Sequence, residues 1–271
     1  MTGTSATPVF TRVVAGTDGS ARAEEAVRQG ARLAGSNDAS LEIVFVVDTG
    51  RPHEADVDRA ADDALGRAFE VAKEAGSEAV TRVLAGDPVE MLVIEAEEHD
   101  ADLLCVGPDA GLVARGIRLG RVSAHVLRHA PCSVLIGREA AVEFPRRVLC
   151  AVDGSDSSTA TARLAAGIVA RSGGELRLLH VIPVFRGNDT EWVVESDDEA
   201  PPELVPATEA VRSLGIEPHR EMAMGRAEEA LVTLAKRDDA DLVVVGSRGL
   251  SGLSRVLLGS VSEHVARHAH C

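Results

Sequence analysis

The chain has 271 residues, 45% of them hydrophobic and only 2% aromatic, which is enough apolar material for two modest cores. Its formal net charge of −15, from 28 basic and 43 acidic residues, argues against a nucleic-acid partner, because phosphate backbones are gripped by clustered Lys and Arg. No run approaches the ~18 apolar residues of a membrane span, and "MTGTSATPVFTRVV" lacks the pattern of a secretory leader, so a soluble cytoplasmic protein with no membrane partner is expected.

In chain order, "FTRVVAG" (10–16) is a buried strand, and "ARAEEAVRQGARLAG" (21–35) is a helix that Gly35 is expected to end. "LEIVFVVD" (41–48) is a second strand. A helix is expected from about Asp56 to Ala75 and a strand over 79–84. "DPVEMLVIEAEEHD" (87–100) opens with an Asp cap and a first-turn Pro, both helix-start signals. "DLLCVG" (102–107), "RVSAHVLRHA" (121–130) and "CSVLIG" (132–137) read as strand, helix and last strand. Strands that are apolar throughout and separated by helices indicate a parallel sheet covered on both faces.

The pattern then repeats. "VVAGTDGSARAEEAV" matches "VLCAVDGSDSSTATA", pairing Asp18 with Asp153 at an offset of 135 residues. "ADLLCVGPDAG" matches "ADLVVVGSRGL" and "SAHVLRHAPC" matches "SEHVARHAHC", both at 139. The expected organisation is two tandem open parallel-sheet α/β sandwich domains, 9–138 and 146–271, joined by a linker at 139–145. Strands of the second copy are expected near 147–152, 175–182, 217–222 and 241–245. The longer middle of that copy, "RGNDTEWVVESDDEAPPELVP" (186–206), reads as a surface loop. The second copy reaches Cys271, the match of Cys132, without a counterpart of "SVLIG", so its last strand is expected to be missing. Cys105, Cys132, Cys150 and Cys271 contain no C-x-x-C pair and are expected to be small buried hydrophobes.

The second copy holds the more telling stretch, "GSRGLSGLSRVLLGSVSEHV" (246–265). Open parallel sheets bind ligands beyond the carboxyl ends of their strands, and Gly246 directly follows the strand "DLVVV". Gly246 and Gly249 are expected to adopt positive φ or to admit an anion close to the backbone. Gly259-Ser260-Val261-Ser262 opens a helix whose first amides lack internal partners, a phosphate-binding arrangement to which Ser260 and Ser262 can add hydroxyls. Asp153 ends the first strand of this copy and can accept hydrogen bonds from a ribose or an adenine amino group. It can equally cap its own "DGS" turn. The backbone at His180 and Val181 is placed to line a purine.

G-x-x-G, nine residues, then G-S resembles the nucleotide signature of the universal stress protein family, and Gly246, Gly249, Gly259 and Ser260 fit it without a gap. "VLCAVDGS" and "GSVSEHVARHA" are similar to that family as well. The resemblance spans both repeats. It implies five-stranded parallel sandwiches, with ATP held by the loop of the second copy, with or without Mg2+. The expected site is then Asp153, Val181, Gly246, Arg248, Gly249, Gly259, Ser260, Val261 and Ser262. It also implies a homodimer or larger assembly through domain pairing. The first copy departs from the signature: Ala110, Asp109 and Arg121 stand where the second has Gly249, Arg248 and Ser260, so it is not expected to hold ATP as the second does.

His264, His268 and His270 beside Cys271 have a zinc-like spacing, but His125 and His129 recur without a third ligand, so helix-surface histidines and no metal are expected. No Walker loop, serine elbow or Ser/His/Asp set is present, and no catalytic residue is assigned. An ATP-binding regulator of stress survival is therefore the leading expectation. Slow ATP hydrolysis and a nucleotide-free dimerisation module are the alternatives.

Overall fold

A computed structural model of the chain describes residues 8–50, 56–108, 119–138, 144–184, 194–195, 201–247 and 258–271. The chain divides into two compact units, one spanning Phe10–Glu139 and the other built on Ala140–Cys271. Among the described residues no helix is long and apolar enough to cross a membrane.

The first unit runs β1 (Arg12–Thr17), α1 (Ala21–Asn37), β2 (Ser40–Asp48), α2 (Val57–Glu74), β3 (Ala79–Gly86), α3 (Pro88–Glu98), β4 (Leu103–Val106), α4 (Arg121–His129) and β5 (Ser133–Ile136). Its strands form one parallel sheet in the order β3-β2-β1-β4-β5. Five of the six β1 residues are buried, as the central strand of a doubly covered sheet requires. Val14, Val44, Leu92, Leu104 and Val126 form a core between the sheet and the helices α3 and α4.

Local chemistry sets the starts of these elements. Ser20 caps α1 by accepting from the Ala23 amide, and Asp87 caps α3 by accepting from the Val89 amide at 2.9 Å, with Pro88 in the first turn. Asp102, in the repeated A-D-L, accepts from the Thr11 amide at 2.7 Å, from its hydroxyl at 2.8 Å and from the Arg12 amide at 3.1 Å, pinning the entry of β1 beside β4. Asp241 does the same for the amides of Arg146 and Arg147. Gly35 does not end α1. The helix continues to Asn37 and closes on Asp38 in the left-handed conformation, φ 54°. Gly35 is needed for approach instead, since a Cβ there would lie 2.8 Å from the Gly76 carbonyl oxygen.

The second unit runs β6 (Arg147–Ala151), α5 (Asp156–Ser172), β7 (Glu175–Pro183), β8 (Val194–Glu195), α6 (Val205–Arg212), β9 (His219–Gly225), α7 (Ala227–Arg237), β10 (Leu242–Val244) and α8 (Ser260–His268). Four strands are parallel in the order β10-β6-β7-β9, and among the described residues none follows β10. The segment 186–206 is more than a loop. Val194 and Glu195 pair antiparallel with Met222 and Glu221 at the far edge, and Val205 begins α6. Two residues of ladder are too short for periodicity to reveal. Of the expected linker, 139–143 lie outside the described residues, whereas Phe144 is 6% exposed and so part of a core.

Charges embedded in the sheets are exchanged in sign between the copies. Arg82 on β3 lies 2.9 Å from Glu42 on β2 and 2.9 Å from the buried Glu95 of α3, with His99 Nε2 at 3.2 Å. At matching positions of the second copy Arg177 replaces Glu42 and Glu221 replaces Arg82. Glu221 is wholly buried, 2.8 Å from Arg177 and 2.7 Å from Arg237. Glu42, Glu95 and His99 are close enough to share a metal ion, but the Arg82 guanidinium already stands among them. Cys105 and Cys150 are buried in β4 and β6 as expected, whereas Cys132 and Cys271 are only half-buried; burial pushes the Cys150 thiol up to about 12, so it is inert at neutral pH.

Candidate functional site

Strand order reverses between β1 and β4 in the first sheet and between β6 and β10 in the second, so each unit has a switch point at the carboxyl ends of those strands, where open parallel sheets bind ligands. In the second unit Asp153 follows β6, Val181 lies within β7, Gly246 follows β10, and α8 starts at Ser260. Asp153 Oδ1 accepts from the Ser155 amide at 3.0 Å and its hydroxyl at 2.6 Å, while Ser155 caps α5 and Gly154 turns at φ 83°. The "DGS" turn therefore fixes the direction of the carboxylate. His180 Nδ1 lies 2.9 Å from the Val152 carbonyl oxygen, so this nitrogen carries the proton and ties β7 to the end of β6. Val181, Val245 and Val261 flank one apolar cluster, which brings the β7 end, the β10 end and the α8 start together.

Helix α8 begins on Gly259 in an extended conformation, φ −68° and ψ 149°, with no side-chain cap. Positive φ is thus not what glycine provides there, and the positive φ expected at Gly246 is not found either. The first internal bond of the helix runs from Glu263 to Gly259, so the amides of Ser260, Val261 and Ser262 head the helix dipole outside its own bonding ladder. The Ser262 hydroxyl, expected to be a ligand donor, is buried and donates to the Gly259 carbonyl at 2.9 Å. Ser260 is exposed. Arg248 and Gly249 lie outside the described residues.

The first unit repeats this frame with other charges. Asp18 Oδ1 accepts from the Ser20 amide at 3.0 Å, as Asp153 does in its copy. Gly120 begins α4 in the same extended form, φ −73°. Arg121, in the place of Ser260, forms a two-point pair with Asp87, Nη1 to Oδ2 and Nη2 to Oδ1 both at 3.0 Å. That guanidinium holds the Asp87 carboxyl below the usual carboxylate range, helped by the Val89 amide. A cavity of about 370 Å³ opens between Asp18, Val46, Asp48, Gly107 and Arg121.

The family model for the universal stress protein family matches residues 10–138 and again residues 145–271. The chain belongs to the universal stress protein family. It is 29% identical over 292 residues to a universal stress protein of Mycolicibacterium smegmatis, covering 95% of this chain and 94% of that one. A universal stress protein of Mycobacterium tuberculosis is 31% identical over 221 residues, covering 77% of this chain and 72% of the relative. The crystal structure of a universal stress protein from Archaeoglobus fulgidus shares the fold, with a TM-score of 0.72 over 95% of this chain and 94% of that one at 23% identity.

One feature of this universal stress protein is not apparent from residue spacing. Arg226 stands at the head of α7, where the first copy has Asp87, and pairs with Glu228 at 2.6 Å and Glu229 at 2.9 Å. Aligning the copies at the 139-residue offset shows the signal: Asp87 with Arg121 in one, Arg226 with Ser260 in the other. The histidine pairs noted in the sequence are stacked on α4 and α8. The His125 and His129 ring centres are 3.9 Å apart, those of His264 and His268 4.1 Å. Among the described residues neither pair gains a third metal-ligating side chain.

Burial first, and then the neighbouring imidazole, lowers the pKa of His125 and of His264 below 6.5, against the opposing pull of Asp87 and Glu90 on one and Glu228 and Glu229 on the other. A histidine whose folded pKa is depressed binds its proton more readily when unfolded, so its stabilising effect is present above about pH 6.5 and lost as pH falls below it. Melting temperatures measured from pH 7.5 down to 5.5 should therefore fall less steeply for the His125→Gln/His264→Gln double variant than for the unaltered protein. Parallel curves would rule this contribution out.

Proposed function

We propose that this universal stress protein is an ATP-binding stress-response regulator whose second copy holds the nucleotide. The observation that carries the reading is the uncapped α8 start at a strand-order switch point, with the amides of Ser260, Val261 and Ser262 outside the helix ladder and Val261 on the same apolar cluster as Val181. Asp153 faces the ribose or adenine amino group, Val181 the purine, and the glycine stretch from Gly246 through Arg248 and Gly249 to Gly259 the phosphates. The exposed Ser260 hydroxyl adds a donor at that end. Magnesium bound with ATP would be held by the phosphates rather than by a protein cage. Self-association into a homodimer or a larger assembly belongs to the same reading and is measured by sedimentation.

Mass spectrometry of small molecules released from freshly purified protein tests the reading. Adenine nucleotide at a fixed ratio to protein is expected. Protein that carries no adenine nucleotide and takes up none on titration would contradict it.

A further inference from the structure

Glu42 on β2, Arg82 on β3, and Glu95 and His99 at the end of α3 meet at the β3 edge of the first sheet, two strands from β1. The β2–β3 register pairs Glu42 with Val80 and Val44 with Arg82, which puts Glu42 and Arg82 on the sheet face that α3 covers. Glu95 and His99 are four residues apart and so share one side of the helix. One ligand atom from each of Glu42, Glu95 and His99 lies within 4.8 Å of the other two.

Two observations show that Arg82 satisfies this cluster only in part. Glu95 is 2% exposed, yet its Oε1 has no hydrogen-bond partner among the described residues. The nitrogens beside that oxygen, Arg82 Nη1 at 2.9 Å and His99 Nε2 at 3.1 Å, both belong to the cluster, so it points inward. His99 Nε2 in turn lies 3.2 Å from Arg82 Nη1. With a lone pair this nitrogen suits Arg82 and opposes the carboxylate; with a hydrogen it suits the carboxylate and opposes Arg82. One of its two contacts is unfavourable in either state. A cation that accepts the imidazole lone pair and both carboxylates removes the conflict.

We infer that Glu42, Glu95 and His99 bind one zinc ion in exchange for the Arg82 guanidinium. Two carboxylates and an imidazole are ligands zinc takes, with water in a fourth position. The 3.1 Å between Glu95 Oε1 and His99 Nε2 is already close to the ~3.4 Å edge of a tetrahedron with bonds of ~2.1 Å. Glu42 closes the remaining gap once the guanidinium bridging the two carboxylates leaves. Arg82 can leave because it sits on an edge strand with 42% of its side chain exposed. A dication bonded to both carboxylates then replaces a monocation 2.9 Å from each. The other cation at this helix end, Arg12, donates to the His99 carbonyl at 3.3 Å and pairs with Asp100, so it holds the backbone without the imidazole. The matching positions of the second copy are Arg177, Leu234 and Asp238, which make no such site. Zinc therefore separates the copies independently of where ATP binds.

The test titrates full-length His125→Gln/His264→Gln, in which both stacked pairs are broken as chelators, with Zn2+ by calorimetry. One equivalent is expected, and adding His99→Ala should weaken it at least tenfold. Adding Arg82→Met instead, which removes the competing cation, should tighten it at least tenfold and let Zn2+ raise the melting temperature further than in the starting chain. Hydrogen exchange with Zn2+ should slow in β2, β3 and α3 and stay unchanged in the second unit. No bound Zn2+, binding indifferent to His99→Ala, or protection confined to the second unit would each overturn the proposal. Binding no tighter in Arg82→Met would overturn the exchange. Should Arg82→Met fail to fold, His99→Ala decides the site alone, since Arg12 keeps that helix end in place.

Discussion

Gly259→Val and Ser260→Glu should each weaken ATP binding at least 100-fold, about 2.7 kcal/mol, in calorimetric titration. Gly259 has an ordinary φ of −68°, so valine is conformationally allowed there and the fold should survive. Its branched side chain would instead stand over the amides of α8, where a phosphate has to come within hydrogen-bond distance. Ser260→Glu places a carboxylate where the helix dipole favours an anion, so the variant supplies its own occupant and repels the incoming one. The same argument predicts little effect from Gly120→Val or Arg121→Glu on ATP binding, because the Arg121–Asp87 pair already closes that end of the first crevice. Equal losses from both sets of variants would remove the asymmetry between the copies.

Arg82→Met should destabilise the first unit by about 3 kcal/mol, within the range for breaking a buried ion pair. Arg82 is the cation between Glu42 and Glu95, and Glu95 is only 2% exposed. The Arg82 nitrogen at 2.9 Å from Glu95 Oε1 lies off the hydrogen-bonding direction, so the stabilisation it gives is ionic. Removing Arg82 strands a carboxylate that cannot reach water. Arg12→Ala is the control: Arg12 and its partner Asp100 are 54% and 84% exposed, and such pairs contribute about 0–1 kcal/mol. Hydrogen exchange of the β1–β4 amides reads the first unit separately from the second. Comparable protection loss in the two variants would show that Glu95 is not the dependent charge.

Much of the architecture was legible because the central strands are largely apolar and the repeats fix one another. "FTRVVAG" and "RVLCAV" had to be central strands, and the D-G-S turns behave alike in both copies. What escaped were features that need a partner from another element. Glu42, Arg82 and Glu221 look like stray charges in apolar strands until the register of β2 with β3, and of β7 with β9, sets them beside their counter-ions. Gly35 looked like a helix stop because its real constraint, the nearby Gly76 carbonyl, is remote in sequence. At the switch points, the strand-end Asp153 and the α8 start were readable from residue type alone. The inward turn of the Ser262 hydroxyl and the placement of Arg226 depend on side-chain directions that spacing does not encode.

A crystal structure grown with ATP is the most direct measurement. The triphosphate should lie over the amides of Ser260, Val261 and Ser262, with the ribose or adenine within hydrogen-bond distance of Asp153, and no polyphosphate at Gly120. Triphosphate density at the α4 start, or none at α8 with ATP saturating, would contradict the assignment of the nucleotide to the second copy.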